Sequence, residues 1–67
     1  MSVNQYFEML MTFSQSNYIN KSHLVRKFTK NLFDSAVANG YIIEGQETAD
    51  GDVRCYITEL GKEIRDR

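Results

Sequence analysis

The chain has no proline and no tryptophan, and it carries one cysteine and one histidine among 67 residues. Without proline, the turns must rest on Gly, Asn, Asp and Ser. A single cysteine cannot form an internal disulfide. No apolar run is long enough to span a membrane and no signal peptide is evident, so we expect a cytoplasmic protein with no membrane partner.

The shortage of cysteine and histidine also leaves little for catalysis or metal binding. Cys55 has apolar neighbours two positions away on both sides and lies far in sequence from His23, so a small buried hydrophobe is favoured over a nucleophile. No second Cys or His completes a zinc site. The Asp-Gly-Asp stretch at 50–52 fits a hairpin turn better than a calcium loop. We therefore expect no enzymatic activity, no metal and no cofactor.

Length and composition indicate one small folded domain covering residues 1–67. The apolar content of 42% and the charged content of 25% are ordinary for a globular domain and argue against disorder. One small core should give a stability of about 3–5 kcal/mol. A dimer interface would add to it, and the sequence leaves a homodimer open.

The net charge of −1 hides an asymmetry between the two halves of the chain. Residues 1–33 carry four Lys and Arg against one Glu, a net charge of +3. Residues 34–67 carry four Lys and Arg against eight acids, a net charge of −4. Opposed surface potentials would follow if the halves formed separate faces.

Apolar residues at helical spacing predict a first helix over about residues 3–14. It begins in "SVNQ", which fits a capping box because Ser2 and Gln5 can satisfy opposite orphan amides. An apolar surplus on this helix is available for a partner helix or for the core of the domain itself. A very short strand is expected at Tyr18–Ile19.

Two more helices are predicted close together. The second covers about residues 21–28 with Asn20 as its N-cap, and the third covers about residues 30–39 with Thr29 as its N-cap. Gly40 stands where a left-handed residue would end the third helix.

Residues 41–57 have the pattern of a β-hairpin. Tyr41–Glu44 is β-prone, Asp50-Gly51 is the sharpest turn signal, and apolar residues alternate strictly from Val53 onward.

A final helix is expected after Thr58, which serves as its N-cap and is followed by Glu59 at the positive helix end. Leu60 and Ile64 are four residues apart and should face inward. The predicted core includes Phe28, Leu32, Val37, Ile42, Ile57 and Leu60.

The order helix, strand, helix, helix, hairpin, helix resembles the winged-helix family of helix-turn-helix domains, with small bacterial and phage regulators as the nearest examples. The segment "AVANGYIIEG" at 36–45 resembles a recognition helix that runs through a glycine into the first strand of the wing. The segment "YITELGKEI" at 56–64 resembles the return strand entering a Thr-capped helix, with its glycine at a close contact. The resemblance implies an α+β winged helix with a three-helix core, a short strand, a hairpin wing and a final helix.

The resemblance also implies a transcriptional regulator that binds double-stranded DNA through the second and third helices. Basic side chains would hold phosphate, and Asn31 and Ser35 would read base edges. Carried over to this chain, the DNA-binding residues are Lys21, His23, Arg26, Lys27, Lys30, Asn31, Ser35 and Arg54.

The hairpin departs from the family pattern, because residues 44–54 carry four acids against one Arg, a net charge of −3. An acidic wing opposes phosphate binding. The third helix also has few basic residues, and the positive charge of Lys30 is balanced by the negative charge of Asp34. An alternative is therefore a winged-helix module, of phage or mobile-element type, whose acidic wing binds a basic surface on a protein partner.

Overall fold

Four α-helices and a three-stranded antiparallel sheet make up the part of the chain that the computed structural model describes, residues 4–14 and 16–66. The protein is therefore a small α+β domain. Its elements in order are α1 (Asn4–Met11), a 3-10 turn (Thr12–Ser14), β1 (Tyr18–Asn20), α2 (Lys21–Phe28), α3 (Lys30–Ala38), β2 (Ile42–Glu47), β3 (Val53–Ile57) and α4 (Glu59–Arg65).

Within the described residues the predicted helix bounds agree closely with the structure, apart from the end of the first helix; the predicted start of that helix at residue 3 lies outside them. The chain stays helical to Ser14, but it tightens into a 3-10 turn from Thr12, whose hydroxyl donates to the carbonyl of Met9. The proposed capping residue Ser2 lies outside the described residues. The third helix ends at Ala38, and Gly40 has the predicted left-handed backbone, with φ of 81°.

The short first strand belongs to the same sheet as the hairpin. The strand order is β1-β3-β2, so β1 pairs with the return strand of the hairpin, Tyr18 opposite Tyr56. The sequence predicted the hairpin and the short strand but not this pairing. The hairpin pairs Ile42 with Ile57 and has an irregular register between Glu44 and Glu47.

Two predicted N-caps behave differently. The Thr29 side chain accepts a hydrogen bond from the Leu32 amide at 3.2 Å, as expected, although its φ of 111° lies in a region that favours glycine. Asn20 stands at the N-cap position of α2, but its side chain makes no capping hydrogen bond.

The core lies between the helices and the inner face of the sheet. Its largest fully buried side chains are Phe33, Met9, Leu10, Leu24, Ile42 and Cys55. Of the six predicted core residues, Ile42 is confirmed as fully buried. Phe28, Leu32, Val37 and Ile57 are only partly buried and pack against this core.

The prediction that Leu60 belongs to the core is wrong, because 45% of its surface is exposed. The final helix turns Gly61 and Ile64 toward the core instead. A Cβ at Gly61 would collide with the backbone oxygen of Tyr41 and crowd Ile57, so the glycine lets α4 approach the start of β2 closely. This close contact was predicted, and it rotates Leu60 out toward solvent.

Candidate nucleic-acid interface

The exposed face of α2 carries three of the predicted DNA-binding residues. Leu24 is buried in the core, which leaves His23, Arg26 and Lys27 exposed to solvent. None of the three forms an ion pair within the residues that the structure describes. The Lys27 ammonium lies 5.5 Å from the ring centroid of Phe28. This face therefore offers two exposed cationic side chains, of which Arg26 also lies close enough to Asp52 to help lower the pKa of that carboxyl.

Lys21, at the start of the same helix, is held by the hairpin. Its ammonium forms an ion pair with Glu44 at 3.0 Å and lies 5.5 Å from the ring centroid of Phe33. The hydrogen bond that Lys21 donates to Glu44 raises the pKa of Lys21 above its usual value. Lys21 is thus less available to phosphate than sequence reasoning assumed.

The third helix presents fewer free groups than predicted. Lys30 is exposed but pairs with Asp34 at 2.7 Å, an i,i+4 surface contact that contributes little and exchanges readily. Ser35 is half-buried, where its hydroxyl shares a hydrogen bond with the Tyr6 hydroxyl. Asn31 is exposed, and its side chain has no hydrogen bond among the described residues. Asn31 is therefore the predicted base-reading residue best placed to act.

Arg54 lies apart from the two helices. It alternates with Cys55, which is buried on the inner face of the sheet, so Arg54 points to the outer face. There its guanidinium lies 4.6 Å from the ring centroid of Tyr18, and Tyr56 stands beside Tyr18 at 6.2 Å between centroids. Sequence reasoning did not single out these tyrosines, although the alternation of β3 places Tyr56 on this face.

Two of the acids in the hairpin turn stabilise the fold. Asp52 accepts hydrogen bonds from the amide of Ser22, at 3.1 Å, and from its hydroxyl, so a residue of the hairpin caps α2 in place of Asn20. These bonds, above all the one from the Ser22 hydroxyl, lower the pKa of Asp52. Asp50 accepts from the Thr48 hydroxyl, which likewise lowers its pKa.

The hairpin should therefore repel an anion less strongly than its amino-acid composition implies. The charge of Glu44 is neutralised by Lys21, and the carboxylate of Asp52 accepts hydrogen bonds at the positive N-terminal end of α2. Glu47 remains exposed without an ion pair in the described part of the chain.

His23 and Lys27 also line an open groove of about 820 Å³ between α2, β1 and the segment that follows α1. Its walls include Tyr18, Asn17 and Ser16. The structure thus brings His23 and Lys27 to one groove, whereas it leaves Arg54 on the outer sheet face and Ser35 half-buried against Tyr6.

Cys55 has no features of a reactive thiol. It is fully buried, and burial raises its pKa to about 11, so the thiolate is suppressed. Among the described residues no three His, Cys, Asp or Glu side chains cluster as metal ligands would. No helix in residues 4–14 and 16–66 has both the length and the apolar character needed to cross a membrane.

Comparison with known proteins adds no assignment: no family model, no curated protein and no solved structure matches this chain.

Proposed function

We propose that this protein is a small cytoplasmic winged-helix DNA-binding protein, a transcriptional regulator, that contacts duplex DNA through α2 and α3. The observation that carries the proposal is the α2 face, where Arg26 and Lys27 are exposed beside His23 and neither forms an ion pair among the described residues. Lys30 and Asn31 continue the polar surface at the start of α3. The hairpin, held to α2 through Asp52 and Ser22, takes the place of the wing.

The charge available to phosphate sets the expected strength of binding. Arg26, Lys27 and Lys30 can neutralise about three phosphates, which predicts a salt dependence with a log–log slope of about −3 per protein. Binding of this kind is moderate at low salt and weak at physiological salt.

The proposal is tested by fluorescence anisotropy on random-sequence and genomic duplexes over a range of salt concentrations. We expect the double variant Arg26→Gln/Lys27→Gln to weaken binding and to reduce the magnitude of the slope by about 2. Lys62→Gln/Arg65→Gln is the matched control, because it removes two positive charges from α4. The absence of binding by the wild-type protein at low salt and high concentration would refute the proposal.

A second candidate function is binding of a protein partner. The outer sheet face carries Ile43, 56% exposed, and Tyr18, 41% exposed, both opposite Tyr56 in the strand register. An exposed apolar surface of this kind suits a protein partner, and the acidic hairpin turn that joins β2 to β3 would favour a basic one. Recovery of one stoichiometric partner from cell extract, lost in Ile43→Ser but kept in Arg26→Gln/Lys27→Gln, would favour this function over DNA binding.

A further inference from the structure

We propose that the protein forms a weak twofold-symmetric homodimer through a groove between α1 and α2. The groove has a volume of about 680 Å³, and six residues line it: Phe7, Glu8, Met11, Thr12, Lys27 and Phe28. This inference does not depend on DNA binding, and because Lys27 belongs to both surfaces, the dimer and the DNA complex would compete for it.

The α1 helix has more apolar surface than its own core uses. Tyr6, Met9 and Leu10 are buried, whereas Phe7 and Met11 are 38% and 41% exposed. These two residues are four apart and therefore adjacent on the helix surface. Phe28 adds a partly buried ring from α2. Three apolar side chains thus form one exposed patch on the domain.

The charges at the edges of this patch identify a second copy of the chain as its occupant. Glu8 lies on the α1 side and Lys27 on the α2 side, and neither has an ion pair among the described residues. In a twofold interface, each residue of one copy meets the complementary residue of the other copy. Glu8 of each copy would then face Lys27 of the other, so the patch is complementary to itself in charge as well as in apolar character.

The size of the patch limits the affinity. Six residues a side are far fewer than the roughly 20–30 of a standard interface, so we expect a weak dimer. Dimerisation would become evident only at high protein concentration.

Sedimentation equilibrium of the full chain without DNA, from micromolar to millimolar concentration, tests the dimer. We expect Glu8→Lys and Lys27→Glu each to weaken self-association by about tenfold, because each converts two attractive pairs into repulsive ones. An equimolar mixture of the two variants should associate again, because every pair across a mixed interface is then attractive. Wild-type protein that stays monomeric at millimolar concentration would overturn the proposal, and so would a mixture that does not associate.

The apolar contribution is tested with an exposed residue elsewhere as control. Phe7→Ser should abolish self-association without unfolding the domain, which circular dichroism monitors, since Phe7 lies outside the core. Leu60→Ser, at a similarly exposed position on α4, should leave self-association unchanged. Dimerisation that survives Phe7→Ser but is lost in Leu60→Ser would place the interface on α4 and refute the proposal.

Discussion

Phe33 and Phe28 are the same residue type in different surroundings, and their different burial determines how much each contributes to the stability of the domain. Phe33 is 1% exposed at the centre of the core, with Lys21 over its ring, whereas Phe28 is partly buried at the end of α2. We expect Phe33→Ala to cost about 3–5 kcal/mol, which is comparable to the whole stability of a domain this small.

Phe28→Ala, the matched control, should cost clearly less because part of its ring already contacts solvent. Urea unfolding followed by circular dichroism measures both variants. A Phe28→Ala protein that is unfolded, beside a folded Phe33→Ala protein, would mean that the core is centred on α2 rather than on α3.

At the scale of elements, α2 depends on the hairpin for its N-terminal cap. Asp52 accepts two hydrogen bonds from Ser22, and its lowered pKa means that folding favours the ionised carboxylate. For a carboxyl group whose pKa is lower in the folded state, the contribution to stability is complete above the pKa of the unfolded chain, near about 4. It is lost as the pH falls through the lower pKa of the folded state.

We therefore expect Asp52→Asn to lower the urea midpoint at neutral pH and to reduce the further loss of stability on acidification below about pH 4. Glu63→Gln is the control, since it removes the same charge from an exposed position on α4 that has no ion pair among the described residues. Equal effects of the two substitutions at neutral pH would show that net charge, and not the cap, accounts for the change.

The elements that sequence reasoning predicted are those whose signals are local. Thr58 accepts from the Gly61 amide at 3.0 Å, and the glycine sits at the predicted close contact. The cap of α2 could not be predicted in this way, because Asp52 and Ser22 are 30 residues apart. Leu60 was wrongly assigned to the core because Ile64 can share an inward helix face with the residue four positions before it, Leu60, or with the residue three positions before it, Gly61. Only the close contact of Gly61 with Tyr41 selects Gly61.

At the scale of the whole molecule, the two oppositely charged halves of the chain do not separate into two faces. The strand β1 from the first half lies beside β3 from the second, and Lys21 pairs with Glu44 across the halves. The helices of the candidate site and the local pairing of Lys30 with Asp34 were therefore predictable, but the loss of Lys21 to Glu44 was not, because that ion pair joins residues far apart in sequence.

The pairing of Lys21 with Glu44 leads to a prediction about the DNA affinity of the whole domain. Glu44→Gln would free Lys21 at the start of α2, at a stability cost of less than about 1 kcal/mol, because the two side chains are 40% and 33% exposed. We expect Glu44→Gln to bind duplex DNA severalfold more tightly at low salt, with a salt slope steeper by about 1. Lys21→Gln should not show this gain.

The same anisotropy titrations separate this effect from a change in net charge. Glu63→Gln removes one negative charge from α4 and should raise the affinity less than Glu44→Gln does, because Glu63 has no ion pair among the described residues and its loss frees no cationic side chain. If folded Glu44→Gln protein binds DNA more weakly than wild type, then the carboxylate assists the interface. In that case Lys21 serves to position the hairpin and does not hold a phosphate.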